Sequence, residues 1–142
     1  YIYNYVRNIR SITGMKNIDK DGALKDAIRT LRQAECVAVL CDQNAGARHP
    51  KVPFFGRPVH TFSTPIALAL QTDSEVIPVT CVRQGLGHFY CQVHEPIDLI
   101  REGKRDEVLY ENMKRMNQVI ENIIREHPEQ WLWMHNRWRL KT

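Results

Sequence analysis

"CVAVLCD", residues 36–42, is a run of six apolar residues closed by an acid. Nothing in the run alternates. A strand with one face in water alternates apolar and polar side chains, whereas a strand buried on both faces does not, and that is the pattern of a parallel sheet. The run therefore predicts a buried strand with Asp42 at its carboxyl end. Ligands in open α/β sheets gather beyond that end. Asp42 is thus a candidate site residue, with a turning or capping acid as the equal alternative.

Working outward, Leu24, Ala27, Ile28 and Leu31 fall on one stripe of a helix that Asp19 or Asp21 would cap. Ile2, Tyr5, Val6 and Ile9 predict an earlier amphipathic helix ended by Thr13-Gly14, and residues 15–18 a short strand. Downstream, Ser63 or Thr64 followed by Pro65 starts a helix that continues through Leu70. Residues 76–82 predict a second buried strand, in which Pro78 requires an end, an edge or a bulge. Gly85-Leu86-Gly87 turns the chain into an alternating strand at 89–97. From about Asp106 a long helix carries Leu109, Met113, Met116, Ile120, Ile123 and His127 as a core-packing seam, and Pro128 stops it. The order α-β-α-β-α-β-β-α predicts an α/β fold, a mixed and largely parallel sheet flanked by helices.

A chain of 142 residues with 43% apolar and 25% charged residues suits one domain with a real core. The net charge of +4 leans toward anionic partners without choosing among them. Cys36, Cys41, Cys81 and Cys91 form no Cys-x-x-Cys pair; Cys36, Cys41 and Cys81 lie in apolar runs and are expected as buried free thiols. No apolar run approaches the roughly 20 residues of a membrane span. The first residue is Tyr rather than Met, so the chain is read as a piece of something longer.

The stretch "DQNAGARHPKVPFFGRPVHTF", residues 42–62, combines cations with two adjacent phenylalanines. Arg48, Lys51 and Arg57 beside Phe54 and Phe55 suit an amphiphilic ligand with an anionic head and a hydrocarbon tail, and Gly56 would allow close backbone approach. The alternative is a loop whose phenylalanines tuck into the core. No serine lies in a nucleophile elbow, and no glycine-rich phosphate loop is present. None of the six histidines is followed five residues on by an acid. The chain thus holds no complete catalytic set, and no metal or cofactor is expected. Three tryptophans at 131–138, interleaved with His135 and Arg137, predict an aromatic clasp docked on the domain, or a belt at a membrane interface.

These residues resemble the lipid A biosynthesis (lauroyl/myristoyl) acyltransferases, a branch of the lysophospholipid acyltransferase superfamily. The most specific likeness is "HPEQWLWMHNRWR". "LCDQNAG" stands where related glycerolipid acyltransferases carry a Pro-Glu-Gly-Thr-Arg block. "PFFGRPVHTFSTPIALAL" and "EVIPVTCV" look like later blocks of the branch, and Arg10 in "RNIRSITG" stands at the arginine of its second block. The resemblance implies a glycerolipid acyltransferase-like fold, of which residues 1–142 are the C-terminal portion. The implied reaction moves an acyl group from acyl carrier protein or acyl-CoA to a hydroxyl of a lipid A precursor, at the cytoplasmic face of the bacterial inner membrane and with no nucleic-acid partner. The family's His-x4-Asp/Glu dyad and its membrane anchor would lie upstream. Within the chain, Arg10 would offer positive charge to a phosphate or oxyanion, and Asp42 would orient Arg10 or a neighbour. Arg48, Lys51, Phe54, Phe55, Gly56, Arg57 and Arg137 would contact substrate. A non-catalytic α/β module binding anionic lipid or a partner protein is the rival reading.

Overall fold

A computed structural model describes residues 1–18 and 22–140. Two compact units divide them, Tyr1–Val37 and Ala38–Thr142.

The first unit holds α1 (Ile2–Ile12) and α2 (Ala23–Arg32). Ile2, Tyr5, Val6 and Ile9 do stripe α1 at helical spacing, but none of its residues is buried. Thr13 forms its C-cap, and the threonine hydroxyl returns to the Arg10 carbonyl at 2.7 Å. Residues 15–18 are not a strand. The expected caps of α2, Asp19 and Asp21, lie outside the described residues; Gly22 occupies the N-cap position with φ +79°. Ala27 is the one buried residue of α2.

The second unit contains β1 (Lys51–Phe54), β2 (Arg57–His60), α3 (Thr64–Thr72), β3 (Val79–Gly85), β4 (His88–Val93), α4 (Arg105–Glu126) and a 3-10 turn, Pro128–Gln130. The structure is mixed α/β, but its sheets correct the expectation of a largely parallel one. Among the described residues the strands form two antiparallel hairpins, β1–β2 and β3–β4. Residues 36–41 are not a strand, and Leu40 is 81% exposed. An apolar run becomes a parallel strand only where parallel neighbours accept its backbone hydrogen bonds, and among the described residues this run has none. The second predicted strand is real but displaced to Val79, just past Pro78, and its residues are exposed or half-buried rather than buried. The predicted turn at 85–87 and its pairing with the next strand are present. The thiols are free, as expected, but Cys36 and Cys81 are exposed and Cys41 is half-buried, because the runs that hold them are not buried strands.

The β1–β2 hairpin is the centre of the packing. Phe55 (φ +47°) and Gly56 (φ +72°) form its two-residue loop, the positive φ values that a type I′ turn demands. Such a loop makes Phe54↔Arg57 a hydrogen-bonded pair and the next pair, Pro53↔Pro58, a non-bonded one. The prolines therefore sit where an N–H would point away from the ladder, and nothing is lost by its absence. Val52, Phe54 and Val59 face inward and are fully buried. Burial of a side chain such as Phe54 stabilises by roughly 1.5–3 kcal/mol.

Helix α4 lies against this hairpin. Its buried face runs Val108, Asn112, Met113, Met116, Asn117, Glu121, Ile124. That face is turned from the predicted seam: Met113 and Met116 belong to it, while Leu109, Ile120 and Ile123 flank it and His127 is exposed. Three polar residues displace the expected apolar ones, because each binds backbone of a neighbouring segment. Asn112 exchanges two hydrogen bonds with Ile100, at 2.8 and 2.7 Å. Asn117 donates to the Pro53 carbonyl at 2.8 Å. Glu121 accepts from the Phe55 N–H at 2.7 Å. Ser63, Thr64 and Pro65 start α3 as expected, and Ile66 and Leu68 are buried from it.

Candidate functional site

In the second unit the segment 42–62 and the C-terminal segment 127–139 are packed together by aromatic rings. Phe54, with no exposed surface, lies 5.9 Å from the Trp131 ring and 5.8 Å from that of Trp138. Trp133 stacks on Trp138 at 6.4 Å with an interplanar angle of 10°. The tryptophans therefore dock on the domain as a clasp. Trp138 Nε1–H donates to the Phe54 carbonyl at 3.4 Å, and Trp131 Nε1–H to Asp42 Oδ2 at 3.3 Å. Aromatic pairs at such distances add stability beyond their buried area.

Arg137 threads through this cluster and is fully buried. Its guanidinium lies over the Phe54 ring, 5.2 Å from the centroid. Nη1–H groups donate to the carbonyls of Gln43, at 2.7 Å, and His60; Nη2–H donates to Thr61 Oγ1 at 3.2 Å. The His60 carbonyl points off the edge of β2, where it also accepts from the Ala45 N–H at 3.1 Å. Arg137 thus ties the hairpin edge to the chain that follows Asp42. Burial pulls its pKa below the usual arginine value, and the charges of Asp42 and then Cys41 pull it back. Burial likewise pushes the Cys41 thiol up, helped by Asp42 and opposed by Arg137. Asp42, Cys41 and Arg137 are one electrostatic group.

The other expected site residues are placed as follows. Arg48, Lys51 and Arg57 are exposed, on the loop before β1 and at the starts of β1 and β2. Phe55 is half-buried, with its ring edge-on to Phe54 at 4.9 Å and the Arg125 guanidinium 4.8 Å from its centroid. At Gly56 a Cβ would meet nothing within 4 Å, so this glycine answers the turn's positive φ rather than a close approach. Arg10 belongs to the first unit, exposed on α1, and among the described residues its side chain has no polar partner.

Two residues that shape the site, Asn44 and Thr61, escaped sequence reading. Asn44 donates its backbone N–H to Nε2 of His135 at 2.8 Å. Its Nδ2 donates to the carbonyls of Arg137 and Arg139, both at 2.9 Å, and its Oδ1 accepts from the Gly46 N–H at 2.8 Å. That last bond is an Asx turn, and Asn-x-Gly is its visible signal. Thr61, fully buried, accepts from both Asn117 and Arg137. Nothing in its sequence context marks it.

Comparison with known proteins agrees with the resemblance. A family model described as "Bacterial lipid A biosynthesis acyltransferase" matches residues 1–140. The chain is 29% identical over 136 residues to the lipid A biosynthesis myristoyltransferase of Escherichia coli (strain K12), covering 94% of this chain and 40% of that protein. It is 30% identical over 136 residues to lipid A biosynthesis acyltransferase 1 of Shigella flexneri, with the same coverage of 94% and 40%. The chain therefore spans about two fifths, 40%, of the length of the curated relatives it matches.

Proposed function

This chain belongs to the bacterial lipid A biosynthesis acyltransferase family, and on that premise we propose that it is the C-terminal part of an enzyme that moves a fatty acyl group from acyl carrier protein, or acyl-CoA, to a hydroxyl of a lipid A precursor. The match across residues 1–140 carries the reading. Acyl transfer needs a base for the attacking hydroxyl and a positive or hydrogen-bonding partner for the oxyanion. No histidine of this chain has an acid five residues on, so the base is assigned to a dyad outside these 142 residues. Arg10 supplies positive charge to the oxyanion or a phosphate. Asp42, which already accepts from Trp131 and faces the Arg137 charge, acts by orienting its neighbours.

Arg48, Lys51 and Arg57 meet the anionic part of the substrate, and the exposed side of Phe55 its acyl chain. Phe54, Gly56 and Arg137 act by holding the loop in shape. No described helix is long and apolar enough to cross a membrane. We assign the work to the cytoplasmic face of the inner membrane, where the exposed apolar stripe of α1 would meet lipid.

The test is acyl transfer from acyl carrier protein to a lipid A precursor, by the natural gene product that carries this chain and by the chain alone. The natural protein should turn over and the chain alone should not. In the natural protein Arg10→Ala and Asp42→Asn should each lower turnover by roughly 10²–10³-fold. A folded natural protein without activity in detergent would leave non-catalytic binding of anionic lipid as the reading.

A further inference from the structure

Within the second unit, a cleft of about 650 Å³ lies between two walls distant in sequence, residues 44–49 and residues 135–139. Asn44 holds the walls together through its bonds to His135, Arg137, Arg139 and Gly46. Among the described residues the charged and titratable groups lining the cleft are Arg48, His49, His135 and Arg139, and no aspartate or glutamate lines it. Among the described residues neither guanidinium has a hydrogen-bond or ion-pair partner, so both forks are available. Nε2 of His135 accepts the Asn44 N–H, which places the ring proton on Nδ1 as its remaining donor. His49 is held by an edge contact with Phe62, ring centroids 5.1 Å apart.

Two permanent cations with planar donor forks, two imidazoles and no acid match a doubly charged tetrahedral anion better than a single carboxylate. We propose that this cleft binds a phosphate monoester. On the acyl-transfer reading the monoester belongs to the glycolipid acceptor; that naming rests on the reading, but phosphate binding itself does not.

The test follows the imidazole resonances of His49 and His135 by NMR in phosphate-free buffer at matched ionic strength. Inorganic phosphate and chloride are titrated separately, then phosphatidylcholine vesicles with and without phosphatidic acid. Phosphate should shift both histidines saturably, and chloride should not. Arg48→Gln and Arg139→Gln, both exposed, should each weaken phosphate binding about tenfold through a lost charge-assisted contact, while Arg105→Gln, the same charge change on α4, should leave it intact. A response to phosphate alone identifies a free phosphate as the ligand; a response to phosphatidic acid vesicles as well identifies a lipid headgroup. No saturable shift with either probe overturns the proposal, as does an equal loss in Arg105→Gln. Absence of acyl transfer together with intact phosphate binding would sink the enzymatic reading and leave this site standing.

Discussion

Asn44 and His135 are joined by a 2.8 Å hydrogen bond across 91 positions of sequence, from the asparagine's backbone N–H to the imidazole Nε2. The asparagine side chain adds three more bonds in the same place. One residue therefore fixes where the C-terminal segment lies on the loop after Asp42.

Asn44→Ala keeps the backbone bond but strands the Gly46 N–H and two carbonyls. It should cost about 1–3 kcal/mol, the usual range for an unmade part-buried bond. Urea denaturation measures this, with the exposed Asn122→Ala as a reference that should change stability little.

Arg137 places a cation where water does not reach; its Nη donors meet two carbonyls and a hydroxyl, and its Nε–H has no partner among the described residues. Arg137→Met strands the Gln43 carbonyl, takes one donor each from the His60 carbonyl and Thr61, and leaves the Asp42 charge without its counterweight. The expected loss is roughly 3–5 kcal/mol, as for breaking a buried charged network from one side. Arg137→Lys should recover little, since one ammonium cannot reproduce a planar fork. Denaturant midpoints of both variants, with near-UV circular dichroism of the tryptophans, check this.

Glu121, buried on α4, accepts from the N–H of Phe55 and pairs with Arg125 at 3.1 Å. Phe55 is bulky and has positive φ, a backbone state that needs outside support. Glu121→Ala should lower stability by about 1–3 kcal/mol. Glu121→Gln keeps an acceptor for Phe55 and should recover most of that loss, which thermal unfolding of the two variants will show.

Burial, and then the proximity of His60, lower the His49 pKa from its ordinary value of 6.5. The unfolded chain then binds this proton at higher pH than the folded chain, so stability rises with pH across that window. The contribution is present above 6.5 and is lost as pH falls through the lowered folded value. Denaturation midpoints taken downward from neutral pH, in buffer without phosphate, should decline less steeply for His49→Asn than for the parent.

Cys81 and Cys91 face each other across the β3–β4 hairpin with their sulfurs 3.0 Å apart. Their hydrogen bond raises the Cys81 pKa, and burial raises that of Cys41. Since the thiolate is the reactive form, iodoacetamide at mildly alkaline pH should label exposed Cys36 first and half-buried Cys41 last. Cys91→Ala should speed labelling of Cys81. Peptide mass spectrometry over a time course reads the order.

Local signals in the sequence determined where the helices lie and several of their ends. The stripe at 24–31, the Ser63-Thr64-Pro65 start and the stop at Pro128 all depend on neighbours within a turn or two, and each stands in the structure. The family was legible for a similar reason: its blocks are short runs, readable without any contact. What only the tertiary structure decided was pairing. "CVAVLC" has the composition of a buried strand, but a strand exists only when a second segment accepts its hydrogen bonds, and that condition is not written in the run itself. Phe54, Phe55 and Gly56 read alike as ligand contacts or as a packed turn until α4 and the C-terminal tryptophans were in place around them. In sequence nothing marks Asn44, Asn117 and Glu121 as buried, and Arg137 reads as a substrate contact. They are structural because each finds backbone partners brought near by the fold, and a buried polar group is tolerated only with such partners.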